Sequence, residues 1–209
     1  MSLTNKLYKS RKIILEMLRD RGYNTENYEN YTPESIDILF KTNMKVTKDI
    51  NPIDIELEES NKLLIKYLMT PKIRVNNIFS IVEELIEEKT YKKNDTIILI
   101  IKDKLTNYEQ VAYYFDNIYS KNKIFIQLFN IDMLMYNVTH HKLVPKHIML
   151  KEEEKQNLLK KYNVTYEQLQ YILKDEPVAK YYGMNKGDVC KIIRNSETAG
   201  EFINYRYCV

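Results

Sequence analysis

Three histidines and two cysteines are the residues of this sequence that most readily suggest chemistry. His140, His141 and His147 lie in one short segment, and Cys190 and Cys208 follow. A zinc site needs four such ligands converging tetrahedrally. No Cys-x-x-Cys pair accompanies the histidines, and each cysteine stands alone in an apolar run, so loop or interface histidines are expected. Metal-dependent nucleases of the restriction type combine clustered carboxylates with a nearby lysine. Ile100-Ile101-Lys102 has the lysine but apolar residues where an acid would sit, and Asp54–Glu59 has acids without the lysine. Gly183-Met184-Asn185-Lys186-Gly187 lacks the Gly-Lys-Ser/Thr ending of a phosphate loop and reads as a helix stop followed by a turn. No Gly-x-Ser-x-Gly elbow occurs and no nucleophile is paired with a base, so no catalytic set, cofactor or metal is expected. Lysines do gather around the apolar run Thr96–Ile101, with Lys92 and Lys93 before it and Lys102 and Lys104 after it. Lysines at strand ends can touch nucleic-acid phosphates, although solubilising charge would account for them as well.

The elements that must position these residues change character along the chain. Leu7, Ile13, Ile14, Met17 and Leu18 recur at helical spacing, and Gly22 can end that helix. Tyr23–Tyr31 reads as polar loop, and Thr32-Pro33 caps a short helix over Glu34–Phe40. Leu63–Met69, Thr96–Ile101 and Lys123–Phe129 read as strands. They alternate with helices over Val75–Lys89, with Ile78, Val82, Leu85 and Ile86 inward, and from a capping box at Thr106–Glu109 to about Tyr119. Strand–helix–strand–helix–strand implies a layered α/β domain with some parallel pairing. Beyond residue 138 the pattern changes: His140–Leu150 is irregular around Pro145, Lys151–Tyr162 is a charged helix, and Thr165–Gln168 is a second capping box. Pro177 opens a short helix that stops at Gly183, and strands Asp188–Arg194 and Glu201–Tyr207 close the chain around the turn Asn195–Gly200. In that hairpin Ser196 and Thr198 supply turn hydrogen bonds and Gly200 backbone freedom. Ile203, Tyr205, Tyr207 and Val209 share one face, and Phe202, Asn204, Arg206 and Cys208 the other. Two domains, 1–139 and 140–209, are expected. The second is small enough that its own helices would cover one face and a partner the other.

Composition bounds the possibilities further. With 44% hydrophobic and 29% charged residues the chain has the make-up of a soluble globular protein, and no apolar run is long enough to span a bilayer. Two cysteines argue against a disulfide-stapled secreted scaffold, so an intracellular, reducing setting is expected. The net charge of +3 resides entirely in residues 140–209, too mild a bias for a free-standing nucleic-acid binder. Abundant Lys, Asn, Ile and Tyr suggest AT-rich coding, as in certain protists or large DNA viruses.

Leu143–Leu150, Glu176–Arg194 and Ser196–Arg206 strongly resemble the fifth shared subunit of eukaryotic nuclear RNA polymerases. The archaeal counterpart of that subunit covers only the C-terminal part, whereas Ser10–Tyr23 resembles the eukaryotic opening helix. The resemblance implies an α/β N-terminal jaw domain, restriction-nuclease-like but inactive, and a small α+β C-terminal assembly domain docking on the largest subunit. It implies a structural, non-catalytic role within the polymerase core. It also implies that downstream double-stranded DNA is contacted non-specifically at Lys102, Lys104, Leu105 and Thr106. The family often has Thr-Pro in that loop, and Thr106-Asn107 here lacks the fixed proline φ. The assembly interface is expected to include His141, Pro145, His147, Pro177, Arg194, Glu197, Thr198, Tyr205 and Arg206. Asn195 and Glu201 depart from the family's usual residues. General transcription factors are further candidate partners and a membrane is not. The expected location is the nucleus for a cellular protein, or a viral factory or virion for one from a large DNA virus. The alternatives are a divergent nuclease-fold DNA-repair accessory protein and a free regulator that mimics the subunit.

Overall fold

The computed structural model describes residues 2–43, 53–58, 61–88, 91–196 and 200–209. The chain divides into two compact units, Met1–Tyr136 and Asn137–Val209.

In the first unit helix α1 (Leu3–Asp20) buries Leu7, Ile14, Leu15, Met17 and Leu18 along one stripe. It ends where Gly22 adopts φ +94°, which lets the Tyr23 N–H reach back to the Leu18 carbonyl at 3.0 Å. Helix α2 (Pro33–Asn43) opens with reciprocal bonds: Ser35 N–H donates to Thr32 Oγ1 at 3.2 Å and Thr32 N–H to Ser35 Oγ at 2.8 Å. Four strands then form one sheet in sequence order: β1 (Ile55–Glu58), β2 (Lys62–Leu68), β3 (Thr96–Ile101) and β4 (Phe125–Asn130). β1 pairs antiparallel with β2, while β2–β3 and β3–β4 are parallel. The acidic Asp54–Glu59 segment therefore contains an edge strand, in which Ile55 and Leu57 alternate inward while Glu56 and Glu58 face out. Crossover helices α3 (Val75–Glu88) and α4 (Tyr108–Asn122) pack Ile78, Val82, Leu85, Val111 and Phe115 against Leu64, Leu99 and Leu128 on one sheet face. Leu63, Ile65, Ile98 and Ile100 on the other face are also buried, so every residue of β3 is inside.

The capping box expected at Thr106–Glu109 does not form. The helix starts later, with Asn107 as its N-cap and no side-chain cap bond, which puts Glu109 at the second helical position rather than the third. The strand expected from Lys123 begins at Phe125, because Lys123 adopts φ +59° as the left-handed cap of α4.

The second unit is a four-stranded sheet of order β5-β7-β8-β6, built from β5 (Lys146–Met149), β6 (Gln170–Ile172), β7 (Val189–Ser196) and β8 (Gly200–Cys208). The segment expected to be irregular thus supplies an edge strand, its backbone pairing with β7 from Lys146↔Ile193 to Met149↔Cys190. α6 (Pro177–Tyr182) covers one face, where Ala179, Cys190, Ile192 and Cys208 are buried together. On the other face, Tyr162 at the end of α5 (Glu152–Tyr162) meets Tyr205, and Tyr166 of a following 3-10 turn meets Tyr207. Ring contacts from within the unit thus reach part of that face, on which Ile148 and Tyr171 stay exposed. Toward the hairpin end, Phe202 and Ile203 remain exposed.

Asp95 is 3% exposed and sits immediately before β3. Its carboxylate accepts the Lys62 N–H at 2.8 Å and the Lys92 N–H at 2.6 Å, and its carbonyl accepts the Phe125 N–H at 2.8 Å. Asp95→Ala leaves two part-buried donors without their acceptor and is expected to lower stability by about 2 kcal/mol, read from urea denaturation of the full chain.

Candidate assembly and nucleic-acid surfaces

The loop leaving β3 is held from two sides. Asn130 Nδ2 donates to the Lys102 carbonyl at 3.3 Å, and Asp103 Oδ2 accepts the Lys72 N–H at 3.0 Å. Lys104 and Thr106 are exposed, and Lys102 and Leu105 half-buried. All four therefore lie in one loop at the carboxyl ends of the parallel strands, where open α/β sheets gather ligands. The Asp103 bond also brings in the loop after β2. There Lys72 (φ +52°) and Arg74 are exposed, two cations that sequence reasoning did not single out. Pro71 and the turn after β2 were the available signal, but pairing that turn with Asp103 depends on the strand order.

In the second unit the expected contact residues separate by strand alternation. His147 on β5 pairs with Ile192, Arg194 pairs with Phe202, and Arg206 with Cys190, so all three share the face that carries α6. Tyr205 points to the opposite face, against Tyr162. His141 is exposed in a turn, its Nδ1 accepting the Leu143 N–H at 3.2 Å. Pro177 occupies the first turn of α6 behind the N-cap Glu176. Glu197 and Thr198 lie outside the described residues. Of the turn Asn195–Gly200, Ser196 closes β7 opposite Gly200, which takes φ +73°.

His147 Nδ1–H donates to the Pro145 carbonyl at 2.8 Å, which ties two of the expected contact residues together. Burial holds this imidazole below its ordinary range. The cations of Arg206 and Arg194 act in the same direction, and the Pro145 carbonyl and Glu176 only partly offset them. Cys190 and Cys208 are fully buried, and burial pushes their thiols up to about 11 and about 12, so they are packing residues and poor nucleophiles. Among the described residues, no three His, Cys, Asp or Glu side chains are grouped to hold a metal, and no helix is long and apolar enough to cross a membrane.

Together these features define a two-unit α/β protein with a mixed sheet in each unit. Residues 136–208, nearly all of the second unit, match the family described as RNA polymerase Rpb5, C-terminal domain. Over 98% of its length, and 98% of the relative's, the chain is 36% identical to the DNA-directed RNA polymerases I, II, and III subunit of Dictyostelium discoideum. It is 30% identical to the DNA-directed RNA polymerase V subunit 5A of Arabidopsis thaliana, over 99% of this chain and 89% of that one. With the corresponding shared subunit of Caenorhabditis elegans the identity is 29%, over 99% and 97% of the two chains. The chain belongs to the Rpb5 family of DNA-directed RNA polymerase subunits.

The depressed His147 has a consequence for stability. As pH falls, the unfolded chain takes up the imidazole proton before the native state does, so the native state loses ground below the ordinary value of about 6.5. His147→Gln is therefore expected to lessen the drop in melting temperature between about pH 7.5 and about pH 5.5, checked by thermal denaturation of both chains at the two pH values.

Proposed function

We propose that this protein is a non-catalytic subunit of a nuclear multisubunit DNA-directed RNA polymerase. Its second unit docks on the largest subunit, and its first unit lies beside downstream DNA as a jaw. The observation that carries this reading is similarity along almost the whole chain to subunits named as shared among eukaryotic polymerases. Such breadth fits a shared assembly role for both units, and nothing favours the nuclease alternative. In the first unit, a parallel β2–β3–β4 core with crossover helices suits a restriction-nuclease-like jaw, and Ile100-Ile101 occupies the strand where an acid would be needed. Lys102 and Lys104, joined by Lys72, meet duplex phosphates without reading sequence, an attraction that weakens as salt rises.

In the second unit, the α6-bearing face presents His147, Arg194 and Arg206, and the exposed Phe202 adds apolar area beside them. Residues 137–209 alone are expected to co-purify with the largest subunit and residues 1–136 not to; a pull-down with the reverse outcome would overturn the docking assignment. Replacing Lys102 and Lys104 with Ala is expected to leave assembly intact. It should shorten the lifetime of elongation complexes several-fold at moderate salt. Dissociation rates of stalled complexes over a salt series check this, and a failure of assembly would remove the DNA-facing placement.

A further inference from the structure

Two loops leave the carboxyl ends of the neighbouring parallel strands β2 and β3, level with each other because Leu68 pairs with Ile101. Each has one apolar residue packed against the first unit's core and cations next to it in sequence. Ile73 packs inward between the exposed Lys72 and Arg74, and Leu105 packs inward beside the exposed Lys104. Residues 70–74 and 102–107 together hold four cations, Lys72, Arg74, Lys102 and Lys104, and one acid, Asp103. None of the four cations forms an ion pair among the described residues. Asp132, the acid that follows β4 at the same end of the sheet, is already engaged by Lys6 at 2.6 Å.

A carboxylate among these cations weakens any attraction for phosphates, so its presence calls for another role. Asp103 Oδ2 accepts the Lys72 N–H at 3.0 Å, a bond between residues 31 apart in sequence. Lys72 adopts φ +52°, a left-handed backbone that lysine takes only rarely. Past that turn, the Arg74 carbonyl accepts the Asn77 and Ile78 N–H groups at 3.1 and 3.3 Å as α3 begins. The backbone carrying Lys72 and Arg74 is thus fixed at both ends, by Asp103 before it and by the start of α3 after it. Through Asp103 the two loops, distant in sequence, become one cationic surface.

We propose that Lys72 and Arg74 form a second phosphate-binding arm for duplex DNA, and that Asp103 is the positioning residue that holds this arm beside Lys102 and Lys104. The inference rests on the DNA-facing reading of the first unit. It adds Arg74 to the contact and gives Asp103 a task other than repulsion. Two cationic loops side by side touch one duplex at two points, which orients it without reading its sequence.

Polymerase carrying Lys72→Ala with Arg74→Ala is expected to assemble normally and to form elongation complexes that dissociate several-fold faster at moderate salt. Over a salt series these complexes should also lose part of their salt dependence, up to about 0.9 in the log–log slope for each phosphate contact removed. Lys92→Ala with Lys93→Ala, exposed before the opposite end of β3, is the control and is expected to change neither quantity. Two further variants both remove the charge of Asp103. Asp103→Asn keeps an acceptor for the Lys72 N–H, and its complexes are expected to last at least as long as those of the natural chain. Asp103→Ala keeps none and is expected to shorten the lifetime about threefold relative to Asp103→Asn. The proposal alone is overturned if replacing Lys102 and Lys104 shortens the lifetime while replacing Lys72 and Arg74 does not. An equal effect of the Lys92 and Lys93 control, or equal lifetimes for Asp103→Ala and Asp103→Asn, overturns it as well. Failed assembly of Lys72→Ala with Arg74→Ala would mark the arm as a protein contact and overturn it too. If neither cation pair matters, the DNA-facing reading falls and this inference with it.

Discussion

Each unit is organised by an aspartate placed just before its central strand. Asp95 spends both carboxylate oxygens and its own carbonyl on backbone N–H groups, and so fixes where β2, β3 and β4 begin relative to one another. Parallel strands have no tight turn to set their register, so a buried acceptor shared between their starts performs that task. In the second unit Asp188 precedes β7, and its carboxylate takes the Asn185 N–H at 2.8 Å and Lys155 Nζ at 3.0 Å. Its carbonyl receives the Cys208 N–H at 2.8 Å, which locks the end of β8 beside the start of β7. Burial alone would lower the Lys155 ammonium, but its bond to Asp188 and the charges of Asp188 and Glu152 outweigh that and raise it. The ion pair thereby fastens α5 to the sheet.

With those registers set, the surfaces follow from strand alternation. A first-unit sheet buried at its centre and a second-unit sheet only partly covered leave charged side chains at loops, strand ends and one open face. In the first unit that is the Lys102–Thr106 loop and its neighbour at Lys72, joined through Asp103. In the second it is the far end of the β7–β8 hairpin and the face where His147, Arg194 and Arg206 align. Burial, and after it the two arginines on that face, hold the His147 imidazole below its ordinary range.

Much of this was legible in the sequence because it depends on local pattern. The all-apolar Thr96–Ile101 run could only be a doubly covered strand, and Pro177 and Gly183 bracket α6 by their fixed and left-handed backbones. Family membership was legible for the same reason, since its motifs are contiguous. Short edge strands were less visible: β5 and β6 have four and three residues, and their identity comes from the neighbours that pair with them. The capping box at Thr106 failed because the four-residue signature does not say at which residue the helix begins.

The sequence by itself determined most of the longer helices and strands and the residue types offered at each surface, since periodicity, caps and turns act within a few residues. Only the tertiary structure decided which of those residues meet. It placed Tyr205 across the sheet from Arg206, brought Lys72 beside the Lys102 loop, and buried Arg11 beside Tyr28 and Tyr31. Those outcomes rest on strand register and on burial of groups distant in sequence, and a buried charge declares itself only when its surroundings are assembled.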